Sequence, residues 1–167
     1  LRPSGAAGPL PFERLGPYRL MQRLGAGGMG IVYLAEDERL GRRVALKVVR
    51  PELAASPEIT ARFEREARAV ARLNHEHIVT VFEAGKIGEV AFLAMEYVEG
   101  QSLDEVFAEA RARHGHVPVT SLLRWVRDVA RALEAAHAAG VVHRDIKPSN
   151  VPITGAVGES EVNRALL

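Results

Sequence analysis

From Tyr18 onward the chain sets apolar and polar residues in short runs: YRLMQRLG at 18–25, GIVYLAE at 30–36 and RRVALKVVR at 42–50. Glycines or charged residues close each run, the pattern of an antiparallel meander. HIVTVFEAG (77–85) and EVAFLAME (89–96) continue it, with a turn predicted at residues 85–88. Between the third and fourth runs the period changes. Ser56-Pro57 offers an N-cap followed by proline at the first helical position, so a helix is predicted from there to about Leu73. Five strands and one helix give a small α+β unit that ends near Glu99-Gly100.

Beyond Gly100 the period is helical. Residues 102–113 predict one helix, closed by His114-Gly115. Thr120 is the expected cap of a second, with Leu122, Val126, Val129, Leu133 and Ala136 at four- and three-residue steps, an apolar stripe expected to be short of helices to pack against in these residues alone, and Gly140 as its C-terminal stop. Residues 1–17, rich in Pro, Gly and Ala and without period, read as a flexible leader. The expected organisation is a leader at 1–17, a first unit at 18–100 and a helical unit at 101–167.

Composition narrows the choice of partner. The 22 basic and 21 acidic residues leave a net charge of +1 with no Lys/Arg-dense stripe, which argues against nucleic acid. The absence of cysteine excludes disulfides and thiolate metal sites and fits a reducing setting. Apolar stretches such as residues 90–95 break well short of the roughly 18 residues a membrane span needs.

Residues 24–32, LGAGGMGIV, place Gly25, Gly27 and Gly30 at G-x-G-x-x-G spacing. In dinucleotide sites the third glycine opens a helix. Here Ile31-Val32-Tyr33-Leu34 continues as a strand, so the glycines sit in a hairpin turn whose N–H groups can approach phosphate oxygens. A turn that binds nothing is the alternative reading of the loop alone.

Lys47 interrupts an apolar strand and shares the face of Ala45 by strand alternation. A lone ammonium there is costly to desolvate and calls for a partner or a bound anion. Glu66 sits in the helical arc of Phe63, Ala67, Val70 and Leu73. Two readings stand: a counter-ion for Lys47, or a rim glutamate that reaches solvent. His75-x-His77 and His114-x-His116 have the spacing of metal pairs but no third ligand nearby, so packing and hydrogen-bonding roles are expected of them, and of His137 and His143.

The segments LGAGGMGIVY, VALK, EREA, AMEYVEG and HRDIKPSN occur in this order, and together they resemble the eukaryotic-type serine/threonine protein kinases. GAGGMG with LNHEHIV is similar to the bacterial members. The resemblance implies a two-lobed fold, with a five-stranded antiparallel sheet plus helix C as the N-lobe (18–100) and a partial C-lobe (101–167). It implies that Leu24, Gly25, Ala26, Gly27, Gly28, Met29, Gly30 and Val32 cover ATP phosphates, with Val32 and Ala45 over the adenine. Lys47 would hold the α- and β-phosphates, oriented by Glu66. Met95 would be the gatekeeper, with Glu96 and Val98 offering backbone groups to the adenine edge on either side of Tyr97. Asp145 would accept the proton of the substrate hydroxyl, Lys147 would neutralise the γ-phosphate and favour Ser/Thr over Tyr, and Asn150 would ligate Mg²⁺. Arg144 beside Asp145 implies control by activation-loop phosphorylation. Partners would be proteins bearing Ser or Thr, with a homodimer also admitted. The kinase portion would lie in the cytoplasm, with any membrane anchor outside it.

Two features depart from the family pattern. No aspartate precedes Phe-Gly: the aspartates are Asp37, Asp104, Asp128 and Asp145. Residues 152–154 fall where a short strand comes after Asn150, and 161–167 where its partner leads towards that motif, so truncation is the expected explanation and little transfer is expected of these residues alone. Pro152 stands where the family places a bulky apolar residue under the adenine, and it lacks a strand N–H. Against the kinase reading stand a pseudokinase-like module that binds nucleotide or partner without transfer, and a dinucleotide oxidoreductase. The strand after the glycine loop argues against the oxidoreductase. Retention of Lys47, Glu66, Asp145 and Asn150 together argues against the module.

Overall fold

The structure, a computed structural model, describes residues 12–27, 30–50 and 57–154; in the helix beginning at Pro57 the side chains of residues 57, 59, 60, 62, 64 and 66 lie outside that description. The chain divides into two compact units. One comprises the described residues up to Arg72 together with Thr80–Tyr97, the other Leu73–Val79 with the described residues from Val98 onward.

The first unit is an antiparallel sheet of β1 (Arg14–Leu15), β2 (Tyr18–Ala26), β3 (Gly30–Asp37), β4 (Arg42–Val49), β5 (Val81–Ile87) and β6 (Val90–Glu96), in the order β1-β2-β3-β4-β6-β5. The five predicted strands are present, and Arg14–Leu15, inside the stretch expected to be a leader, add a sixth. Leu15 is buried and Phe12 packs beside it, so apolar burial holds this edge rather than ladder length. The fourth predicted strand starts at Val81 instead of residue 77.

Strand alternation divides β4 between two faces. Val44, Leu46 and Val48 join Tyr18, Leu20, Tyr33, Phe92 and Ala94 in the main core. Ala45 and Val49 lie on the other face, Ala45 with Leu24 and Leu34, Val49 with Ala91. Helix α1 (Pro57–Val70) packs there through Phe63. Gly30 is required by the sheet: a Cβ on it would stand 2.2 Å from the Val48 carbonyl oxygen.

A polar cluster ties three chain segments at one edge of the core. The Tyr18 hydroxyl donates to Glu83 at 2.5 Å, and Arg39 Nη2 donates to the same carboxylate oxygen at 2.7 Å. Arg39 also reaches buried Asp37 through Nε at 3.3 Å. Burial, then the Glu83 carboxylate, push the Tyr18 phenol well above its usual range, so it stays a donor.

The second unit contains a two-stranded ribbon, β7 (Gly100–Ser102) with β8 (Pro152–Thr154), and helices α2 (Leu103–Ala112) and α3 (Val119–Ala138). Ser102 begins α2 through a capping box, its N–H and hydroxyl both donating to Glu105, at 2.8 and 2.6 Å. Val106, Val117, Trp125, Val151 and Ile153 form its core. α3 begins at Val119 after Pro118, whose fixed φ of −56° sets the entry, and not at a Thr120 cap. Gly140, at φ +75°, ends it as predicted. Val126, on the apolar stripe expected to be short of packing partners, is exposed, and Asp128 is buried. Among the described residues no helix is long and apolar enough to cross a membrane.

The Tyr18 cluster makes a measurable prediction. Tyr18→Phe removes one donor to Glu83 and should cost about 1 kcal/mol, a few degrees of Tm. Donation from Tyr18 and then Arg39 holds the Glu83 carboxyl below its ordinary range. A depressed folded-state value contributes stability above the unfolded value that is lost as pH falls through the folded one. The difference between wild type and Tyr18→Phe is therefore expected in full at neutral pH and should shrink below about pH 4. Thermal melts of both proteins across that range check it.

Candidate active site

The glycine turn is the β2–β3 hairpin. Gly25 pairs with Val32 and Ala26 with Ile31, and the Gly27 N–H donates to the Gly30 carbonyl at 2.9 Å. Gly28 and Met29 lie outside the described residues. Among the described residues a Cβ built on Gly25 or Gly27 meets nothing within 4 Å, and neither has a left-handed φ. Packing and backbone conformation therefore do not call for glycine at these two positions, and the turn leaves room for a group to approach its backbone closely. Arg50, which no sequence signal marked, donates from Nη2 to the Gly27 carbonyl at 3.2 Å.

Register across the sheet gathers the predicted base-binding residues. Val32 is opposite Lys47, Leu34 opposite Ala45, and Ala45 opposite Met95. Leu24, Val32, Ala45 and Met95 pack with Leu34 and Tyr97 in one apolar cluster. Leu34 shares the face of Val32 by period 2, a signal present in the sequence. Lys47, half-buried, lies on this face between Ala45 of that cluster and Val49, which meets Phe63 of α1. Phe63 precedes Glu66 by three residues, close to one helical turn. The Glu66 side chain lies outside the described residues. Glu96 donates its N–H to the Thr80 carbonyl at 2.8 Å, so its carbonyl is the group it can offer a ligand. The chain passes to the second unit between Tyr97 and Val98, and Val98 is buried there.

The second unit carries the loop His143–Arg144–Asp145. Arg144 has a φ of +64°, a conformation uncommon outside glycine. The loop is braced from within: Asp145 N–H donates to His143 Nδ1 at 3.3 Å. Lys147 Nζ stands 2.9 Å from Asp145 Oδ2. Asn150, on a 3₁₀ turn Pro148–Asn150, donates from Nδ2 to the Asp145 carbonyl at 2.9 Å and to its Oδ2 at 3.0 Å. Hydrogen bonds from Lys147 and then Asn150 hold the Asp145 carboxyl below the usual carboxylate range. With its amide N–H groups directed at Asp145, Asn150 presents Oδ1 as the atom open to a cation. Among the described residues no cluster of three carboxylates or histidines could hold a metal ion by itself. One amide oxygen fits an ion that takes its remaining oxygens from phosphate and water, the habit of Mg²⁺.

The ribbon beyond this loop accommodates Pro152. Leu103 N–H donates to the Val151 carbonyl at 2.9 Å, and Ser102 pairs with Pro152. Hydrogen-bonded and open pairs alternate in an antiparallel ladder, so Pro152 occupies an open pair and its missing N–H is not needed. Gly100 permits the ribbon, since a Cβ there would lie 2.1 Å from the Ile153 carbonyl oxygen.

Comparison with known proteins is consistent with this geometry. The protein kinase domain family matches residues 18–158. The serine/threonine-protein kinase PknA of Mycobacterium tuberculosis is 44% identical over 144 residues, covering 83% of this chain and 32% of the relative. PksC of Streptomyces coelicolor, also a serine/threonine-protein kinase, is 44% identical over 143 residues and is covered to 26%. The chain thus spans about a third or less of these curated relatives. The crystal structure of the Mycobacterium tuberculosis PknI kinase domain aligns with a TM-score of 0.75 at 36% identity, over 98% of this chain and 62% of that one.

The contacts around Asp145 predict a titration. Lys147→Ala removes the largest cause of its depressed pKa and should move it upward, while Asn150→Ala should move it upward by less. Carbon-detected NMR titration of the labelled carboxyl reads both, and an unchanged Asp145 in Lys147→Ala would contradict the assignment.

Proposed function

The chain belongs to the protein kinase domain family, and on that premise we propose that it supplies the nucleotide-binding and catalytic-loop portions of an enzyme that phosphorylates Ser or Thr hydroxyls of proteins. The observation that carries this reading is the row Ala45, Lys47, Val49 on one face of β4, with the apolar cluster of Leu24, Val32 and Met95 at one end and Phe63 of α1 at the other. Such a row offers an apolar seat for a base and, one step along, a cation for its phosphates.

In this mechanism the adenine rests against Leu24, Val32, Ala45 and Met95, its polar edge meeting backbone groups of Glu96 and Val98. The glycine turn directs N–H groups at the phosphates. Lys47 holds the α- and β-phosphates, and Glu66, one turn beyond Phe63, orients it. Asp145 aims the substrate hydroxyl at the γ-phosphorus. As the new O–P bond forms, the bond from that phosphorus to the β–γ bridging oxygen breaks, ADP departs, and Asp145 takes the hydroxyl proton. A carboxylate kept below its usual pKa is a weak base, which suits a loose transition state in which alignment and charge matter more than early proton removal. Lys147 has two roles: paired with Asp145 before substrate binds, it turns to the γ-phosphate afterwards, and its departure raises the basicity of Asp145. Mg²⁺ bound near Asn150 Oδ1 would offset phosphate charge. Arg144 would pair with a phosphate on an activation segment of a longer chain.

Two measurements test this. Gly25→Ala with Gly27→Ala should leave Tm within about a degree of wild type, since none of the described residues packs on either position, yet weaken Mg–ATP binding about tenfold, roughly 1.4 kcal/mol. Calorimetric titration and melting curves decide it, and a wild-type chain that does not bind ATP would overturn the reading. Radiolabelled transfer to a generic Ser/Thr substrate should be slow for these 167 residues, because no Asp-Phe-Gly supplies a second metal ligand.

A further inference from the structure

The glycine turn extends beyond the ladder that carries it. Pairing of β3 with β4 ends at Gly30 opposite Val49. Pairing of β2 with β3 ends at Ala26 opposite Ile31, closed by the Gly27 N–H on the Gly30 carbonyl at 2.9 Å. The carbonyl of Gly27 itself has no ladder partner among the described residues. Glycine is the residue least able to hold a peptide plane on its own, and among the same residues a Cβ built on Gly27 meets nothing within 4 Å. Neither a side chain nor packing by those residues decides on which side of the turn this oxygen lies.

Arg50 reaches it. Its Nη2 donates to the Gly27 carbonyl at 3.2 Å, so the first residue past β4 ties the end of β2 from across β3. The base of this tie is firm. Val49 is buried, and a Cβ on Gly30 opposite it would stand 2.2 Å from the Val48 carbonyl oxygen, so β3 and β4 are in close contact there. Val48 lies in the main core, while Lys47 and Val49 take the other face. Carried one residue further, the alternation puts Arg50 on the side of Val48, opposite to Lys47. The guanidinium thus holds the oxygen from the side away from the cation that would meet the phosphates.

We propose that Arg50 is a positioning residue for phosphate recognition. A carbonyl oxygen is the negative end of the peptide dipole. Turned towards Lys47, it would repel the anion that the N–H groups of a glycine turn attract. Held by Arg50, the Gly27 oxygen stays out of that space. The arginine acts through the backbone and makes no contact with the phosphates. A guanidinium suits the task, because its donors sit in a rigid fork and little freedom is lost in making the bond. This role rests on the nucleotide reading of the same turn.

Calorimetric titration of the 167-residue chain with Mg–ATP and with adenosine tests it. Arg50→Met, which keeps an unbranched stem and removes the donors, should bind Mg–ATP about fivefold more weakly, the effect of losing one hydrogen bond, and adenosine as wild type does. That ratio should persist at 0.5 M KCl, where charges more than about 4 Å apart are screened. Arg50 is exposed, so Tm should stay within about two degrees of wild type. Equal Mg–ATP affinity of the two chains overturns the proposal. So does an equal loss for adenosine, which marks a general role in the sheet, and so does a ratio that returns to one at high salt, which marks charge alone. Unfolding of Arg50→Met overturns it too, because the tie serves the turn and not the fold. A wild-type chain that does not bind Mg–ATP overturns the nucleotide reading, and this role with it.

Discussion

Strand β4 is hydrogen-bonded along both edges, to β3 and to β6, and apolar residues cover both of its faces. A lysine in such a strand is tolerable only where its face opens towards a group that can answer its charge. Much else depends on that constraint. Because side chains alternate, fixing Val44, Leu46 and Val48 in the main core sends Ala45, Lys47 and Val49 to the opposite side together. A one-residue slip would bury the ammonium among Tyr33, Phe92 and Ala94 and expose three core residues. The register of the whole first unit, and with it the meeting of Leu24, Val32 and Met95, is therefore held by the same alternation that presents the cation.

Period 2 is a strong signal when both faces are committed, which is why the strands, the hairpin at the glycine turn and the shared face of Ala45 and Lys47 are legible in the sequence. The first edge is not. Arg14–Leu15 is too short to show a period, and it is held by burial of Leu15 and Phe12 against residues distant in the sequence. The start of β5 escapes pattern reading for a related reason. HIVTV reads as β-branched strand material, but His77 and Ile78 find their partners in α3, and that tertiary choice overrides local preference. Pro152, a defect in a strand when taken alone, ceases to be one once ladder parity places it at an open pair.

α3 marks a different limit of pattern reading. Hydrophobicity alone marks an apolar stripe that includes Val126, and part of that stripe is exposed here. Trp125, Ala132 and Ala136 are buried as a neighbouring arc, with an aspartate among them. A wide apolar arc constrains the rotation of a helix only loosely. The buried side of α3 meets Leu73 and Ile78, and Asp128 lies 3.6 Å from His77 on that side. Nothing in the local period announces that, although a histidine and an aspartate buried in the same junction are the kind of exception by which such contacts can be found.

The loop of Asp145, Lys147 and Asn150 shows how a few short contacts can order charged groups without burial. Asp145, Lys147 and Asn150 are solvent-accessible, and their order comes from bonds among themselves. In water an isolated pair of this kind is weak. Three elements make it more definite here. The 3₁₀ turn fixes Asn150 relative to Lys147, buried Val151 and Ile153 anchor the C-terminal side of the loop, and the His143 ring braces Asp145 from within it. A loop anchored beyond Asn150 and left polar at its centre keeps the Asp145 carboxyl below its usual range through Lys147 and Asn150. If a phosphate draws the lysine away, the carboxylate loses its main stabilising donor at the moment an alcohol proton must be accepted. On the kinase reading, binding of the phosphoryl donor and readiness of the base are thus coupled through one side chain, within eight residues of sequence.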